Sequence, residues 1–148
     1  TDIMTIRRAT ADDVPALVSL AQLEHGLSRM AQTQFDADFV AERFSHAVTG
    51  LSSVVFVSEA SGELKGLIAG AVQQNLHNRF GTAYELLWFA VDGSGLKLLD
   101  ALKTWARRMR ATAIVANNHA GIKDPERFNK VMARKGYTQL GASFMAAL

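Results

Sequence analysis

Glu85 and the run Val91-Asp92-Gly93-Ser94-Gly95-Leu96-Lys97 carry most of the chemistry that this chain's residue types and spacing offer. Glu85 is a carboxylate inside an otherwise apolar strand-like segment. That setting suits a general base, because burial raises a carboxyl pKa toward the range in which a base works. A strand-end glutamate that faces solvent or pairs with an arginine is the other reading. The Gly93-Ser94-Gly95 run ends the apolar segment and opens a helical pattern. Helix N-termini present unpaired amides and a positive dipole end, and glycines let the backbone approach an oxyanion closely. Lys97 adds a formal positive charge nearby, so phosphate or pyrophosphate is the natural ligand. A Gly-x-Gly alone also occurs in ordinary strand-to-helix turns.

The other polar candidates are less organised. His25, His46, His77 and His119 are scattered without metal-ligand spacing, so no metal site is expected. His119 follows Asn117-Asn118 near the end of a short strand, where an acid, base or contact role competes with a plain turn. With no cysteine in the chain, a thiol nucleophile, a disulfide scaffold and a cysteine zinc site are excluded. Lys103, Arg107, Arg108 and Arg110 form a basic run without interleaved aromatics, which reads as a solvated helix face. A net charge of +2 suits an anionic small ligand and gives no reason to expect nucleic acid. Trp88 and Trp105 read as core. The polar run from Gln73 to Arg79 reads as a loop tip.

These residues need a scaffold, and 148 residues with 49% apolar content fit one compact domain over 1–148. No apolar run has membrane-spanning length and the N-terminus lacks a signal-peptide stretch, so a cytoplasmic setting is expected. Thr1 to Met4 read as a leader before the pattern begins at Ile6. Ile3 to Arg8 alternate as a first strand. Thr10 and Asp13 have capping-box spacing, and Val14, Leu17, Val18 and Ala21 follow at helical spacing. A second helix starts near Asp36. Val54 to Val57 and Leu64 to Val72 flank the Ser61-Gly62 turn as a hairpin, and Ala83 to Val91 form a further strand. Leu96, Leu99, Leu102, Ala106 and Met109 predict an amphipathic helix. Ala113 to Ala116 are a short strand. Asp124-Pro125 start a helix that stops at Gly136. Tyr137 to Leu140 and Ser143 to Ala147 are expected to close the fold as a strand pair. The order βααβββαβαββ predicts an α/β domain with a mixed sheet of about seven strands flanked by about four helices.

Ile6 to Leu17, the segment Ala90-Val91, Gly93-Ser94-Gly95 and Leu98 to Leu102, and Phe128 to Tyr137 resemble, in order, the GNAT superfamily of N-acetyltransferases. The resemblance implies acetyl-CoA as acyl donor and direct attack by an amine acceptor in a ternary complex. It implies that backbone around Phe89, Ala90 and Val91 holds the pantetheine and polarises the thioester carbonyl. Pyrophosphate then falls to the amides of Gly93, Ser94, Gly95, Leu96 and Lys97 and to the Lys97 side chain, while Asn117 bonds the pantetheine. Glu85 stands where some members carry a catalytic glutamate. Two departures matter. The usual loop has an Arg or Gln and several more residues between the valine and the Gly-x-Gly, whereas here Val91-Asp92-Gly93 run directly. Met132 occupies the cofactor-side position where the family often has a tyrosine acid, and methionine cannot donate a proton. The acceptor is open between a small amine, an aminoglycoside-like compound, a peptide N-terminus and a lysine. A catalytically inactive CoA-binding or protein-interaction module is the alternative, and the closing strands offer an edge for a homodimer.

Overall fold

The computed structural model describes residues 3–28, 30–117, 124–141, 144–146 and 148. In chain order these form β1 (Thr5–Arg8), a 3-10 turn (Ala11–Asp13), α1 (Val14–Leu27), α2 (Ala37–Thr49), β2 (Ser53–Ala60), β3 (Glu63–Gln74), β4 (Gly81–Ala90), α3 (Gly95–Arg108), β5 (Ala111–Val115) and α4 (Pro125–Arg134). The strands make one sheet in the order β1-β2-β3-β4-β5. The first four are antiparallel neighbours and β5 is parallel to β4. Chain connectivity dictates that mixture. Ser61 and Gly62, both at positive φ, close the β2–β3 hairpin with the left-handed residues that a two-residue turn demands. A parallel return from β4 to β5 instead needs a crossover, which α3 supplies.

Local capping fixes where the helices begin. Asp36 accepts from the Phe39 amide at 3.0 Å to start α2, and Asp124 accepts from the Arg127 amide at 3.1 Å to start α4, with Pro125 following. No helix among the described residues is long and apolar enough to cross a membrane.

Strand alternation sorts the core onto two faces. Val55, Val57, Leu67 and Ala69 point to α1 and α2, where they meet Leu17, Leu20 and Phe44. Val54, Ile68 and Ala83 point to α3 and α4, where they meet Leu98, Leu99, Leu102 and Met132. Gly66 and Gly70 of β3 lie on the α3 side. A Cβ on Gly66 would stand 3.0 Å from Leu98 Cδ1 and 2.9 Å from Ala90 Cβ, and one on Gly70 would stand 2.5 Å from Leu102 Cδ1. Glycine at these two places is what lets α3 lie close on the sheet.

Five strands are present among the described residues, not about seven. Tyr137 to Leu140 do not form a strand. The α4 terminus explains this. Gly136, at φ +91°, donates to the Ala133 carbonyl, and the Tyr137 amide donates to the Met132 carbonyl at 3.0 Å, so the chain folds back over its helix and Tyr137 packs into the core. Leu140 is exposed. Ser143 and Ala147 lie outside the described residues, so the second closing strand is not described.

At the other edge, Arg7 joins β1 to the helical layer. Its guanidinium grips Asp13 with two bonds of 2.8 and 2.9 Å, and its Nε bonds Glu59 at 2.6 Å. The Asp13 carboxylate also accepts from the Thr10 amide at 2.8 Å. The hydrogen bonds from Arg7 hold the Asp13 carboxyl down to about 2, against an ordinary value of 3.8.

Two outcomes are expected. Gly70→Ala, which has no room between Leu102 and the backbone of Tyr84, should cost about 1–3 kcal/mol in urea-induced unfolding. Because the folded chain holds Asp13 ionised where the unfolded chain takes up a proton, stability should be intact above pH 4 and fall as the pH drops toward 2. Acid unfolding of Asp13→Asn, followed by circular dichroism, should lose that component of the slope.

Candidate functional site

The site grows out of an irregularity in β4. Ala69 pairs with Leu87 and Gly70 with Glu85, which leaves Leu86 as an extra residue on β4, a β-bulge. On its other side β4 pairs with β5 only from Gly81 to Tyr84. Among the described residues β5 ends there, at Val115 opposite Tyr84, while β4 keeps its antiparallel partner as far as Ala90 opposite Gly66. The Val91 amide donates to the Lys65 carbonyl at 2.9 Å, so it faces β3. Backbone groups of a strand face alternate neighbours. Phe89 therefore also faces β3, and the N–H and C=O groups of Trp88 and Ala90 face the other side. Of the residues expected to offer backbone to a ligand, Phe89 and Val91 face β3, whereas Ala90, like Trp88, faces away from it.

Glu85 sits just past the end of that pairing. It is 4% exposed and lies on the α3 side of β4, and its Oε1 accepts from the Asn117 amide at 3.1 Å. The carboxylate thus receives, just past the end of β5, an amide that regular pairing would have joined to β4. The structure brings Glu85 and Asn117 together, Asn117 contributing its backbone. His119 lies outside the described residues.

At the far end of β4, Asp92 and Gly93 (φ +81°) turn the chain directly into α3. Ser94 occupies the N-cap position of that helix, makes no side-chain capping bond to it, and is 2% exposed. Its hydroxyl stands 2.8 Å from that of the fully buried Ser58 on β2 and 2.5 Å from Asp92 Oδ1. A carboxylate oxygen only accepts, so the Ser94 proton points to Asp92. The same Oδ1 accepts from the Ser94 amide at 3.1 Å. One amide expected to meet pyrophosphate is therefore already bonded to a side-chain anion. Gly95, Leu96 and Lys97 form the first turn, whose amides have no partner within the helix. The Trp88 indole donates to the Gly95 carbonyl at 2.9 Å, which ties the helix start to β4.

Met132 is buried in the cluster that holds Ala90, Leu96 and Trp88, and Phe128 of α4 lies against Trp88 with ring centroids 5.7 Å apart. Phe89 packs in the opposite cluster, toward α1 and α2. Sequence reasoning missed the Trp88 anchor and the Asp92 turn. Asp-Gly-Ser is a typical Asx-turn sequence, which was a usable signal for the second. A depression of about 200 Å³ at the outer edge of β5, lined by Lys103, Arg107 and Thr112 among others, shares no residue with this site. Among the described residues, no group of three histidines and carboxylates is placed to hold a metal.

No family model matches the chain, and no curated protein matches it by sequence. Solved structures do match. Aminoglycoside acetyltransferase AAC(6')-Iy, in complex with a CoA bisubstrate analogue, is 11% identical, with a TM-score of 0.76 over 99% of this chain and 98% of that one. An aminoglycoside acetyltransferase from an uncultured soil metagenomic sample, in complex with sisomicin, is 16% identical, with a TM-score of 0.71 over 98% and 96% of the two chains. Ribosomal-protein-alanine N-acetyltransferase from Brucella melitensis biovar Abortus 2308 is 13% identical, with a TM-score of 0.70 over 98% and 99%. At these identities the likeness is one of fold, and the fold is GNAT-like.

Trp88→Phe removes the indole bond to Gly95 while keeping an aromatic ring. A loss of about 1–2 kcal/mol is expected in thermal unfolding, with faster amide hydrogen exchange confined to the first turn of α3.

Proposed function

We propose that this chain is an N-acetyltransferase that takes acetyl from acetyl-CoA and passes it to an amine by direct attack in a ternary complex. The observation that carries the reading is the end of the β4–β5 pairing at Tyr84. It leaves the backbone of Trp88 and Ala90 without a partner among the described residues, between Glu85 at one end and the α3 N-terminus at the other. Its support from outside the chain is the fold, shared with structures solved as acetyltransferases, one of them holding a CoA bisubstrate analogue.

In this reading the pantetheine arm lies along the open side of β4 as a substitute strand, bonded to the backbone of Trp88 and Ala90. An N–H on that side polarises the thioester carbonyl as charge develops on its oxygen. The first-turn amides of α3 and the Lys97 side chain face the diphosphate. The acceptor nitrogen attacks the carbonyl carbon, a C–N bond forms, the C–S bond breaks, and CoA leaves as thiolate. Glu85 takes the proton that the nitrogen loses, directly or through a water. Met132 has no proton to give, so in this reading solvent protonates the departing thiolate.

A second reading has one specific observation in its favour. The Asp92 carboxylate bonded to the Ser94 amide opposes a diphosphate at the helix start, as expected of a GNAT-fold module that has lost catalysis. Binding of acetyl-CoA without release of free thiol, across a panel of small amines, aminoglycosides and peptide N-termini, would establish that reading. Thiol release with any of them supports the enzyme.

Glu85→Gln is the sharper test, because the glutamine carbonyl still accepts from Asn117 while the base is lost. With a productive acceptor, kcat/KM should fall about 100-fold or more, and the limb of the pH–rate profile that reports the base should disappear. An unchanged profile would remove Glu85 from the reaction.

A further inference from the structure

We infer that Asp92 is a specificity-determining residue of the donor site: its carboxylate disfavours the CoA diphosphate and leaves the pantetheine arm as the main recognised part of the donor. The inference rests on the acetyl-CoA reading given above. With only Asp92 between Val91 and Gly93, the short connection has no slack to carry the side chain away from the helix. Its Oδ1 is fixed by two donors, the Ser94 amide at 3.1 Å and the Ser94 hydroxyl at 2.5 Å. That hydroxyl is itself braced by Ser58, which is fully buried.

A carboxylate beside a helix N-terminus offsets the attraction that the dipole offers to an incoming anion, and at a few ångströms two like charges repel. Moving Asp92 from this place would take an acceptor from both the Ser94 hydroxyl and the Ser94 amide, which costs stability. The diphosphate must therefore bind beside a fixed negative charge. The pantetheine arm is neutral and lies along β4, on the other side of the turn, so Asp92 does not oppose it. A donor with a short neutral tail should lose little against full acetyl-CoA.

The test is calorimetric titration of the wild-type chain, Asp92→Asn and Asp92→Ser with two probes, acetyl-CoA and S-acetylpantetheine. Asparagine keeps an acceptor for the Ser94 amide, and serine repeats the charge removal with a different cap, so one misfolded variant does not decide the outcome. Both variants should bind acetyl-CoA about tenfold more tightly than wild type and S-acetylpantetheine with unchanged affinity. The gain should shrink as salt is raised. If the wild type binds both probes and neither variant gains affinity for acetyl-CoA, the inference is wrong. Equal gains for both probes would also overturn it, since they would report a loosened turn and not a removed charge. A wild-type chain that binds neither probe would refute the acetyl-CoA reading itself, and this inference with it.

Discussion

The close seating of α3 on β3 is the constraint on which the rest of the structure depends. Leu98 and Leu102, both fully buried, approach the sheet over Gly66 and Gly70, where even a methyl group would collide. An amphipathic helix buries its apolar stripe wherever the sheet allows, and here two glycines set the depth. With the helix axis held, its first turn is held too. Trp88 reaches across to the Gly95 carbonyl, and Ser94 pairs with Ser58 of β2. The strand that loses its neighbour and the helix start that follows it are thus fastened to one another through the core.

That fastening has a chemical consequence. The same rigidity that aims the α3 amides also holds Asp92 just before them, bonded to Ser94. The Leu86 bulge and the early end of the β4–β5 ladder leave Trp88 and Ala90 as backbone donors and acceptors facing away from β3. The donor site proposed here therefore has a well-formed strand-like part and an electrostatically opposed anion part. Glu85 stands apart from that tension, buried on the α3 side and bonded to the Asn117 amide.

Much of the fold was legible because its signals are local. Asp36 and Asp124 cap the helices where their positions suggested, Ser61-Gly62 forms the hairpin turn, and the strongest apolar segment is the strand that carries Glu85. The first closing strand was misread, since the alternation of Tyr137 to Leu140 competes with a glycine-terminated helix whose carbonyls take the Tyr137 amide. The bulge at Leu86 was not legible at all. It arises from pairing with β3, and nothing in the local sequence marks which strand residue goes unpaired. For the same reason the sequence did not mark that the backbone of Trp88, unlike that of Phe89 and Val91, faces away from β3. The turn at Asp92 did have a local signature, but its meaning depends on the buried Ser58, which is distant in sequence.

The central claim is that the open side of β4 and the start of α3 receive acetyl-CoA. Hydrogen–deuterium exchange at millimolar acetyl-CoA tests it most directly, because it reports which backbone amides become protected. Slowed exchange confined to residues 86–91 and 93–97 is the expected result. No change in exchange, or protection confined to another surface such as the outer edge of β5, would contradict it.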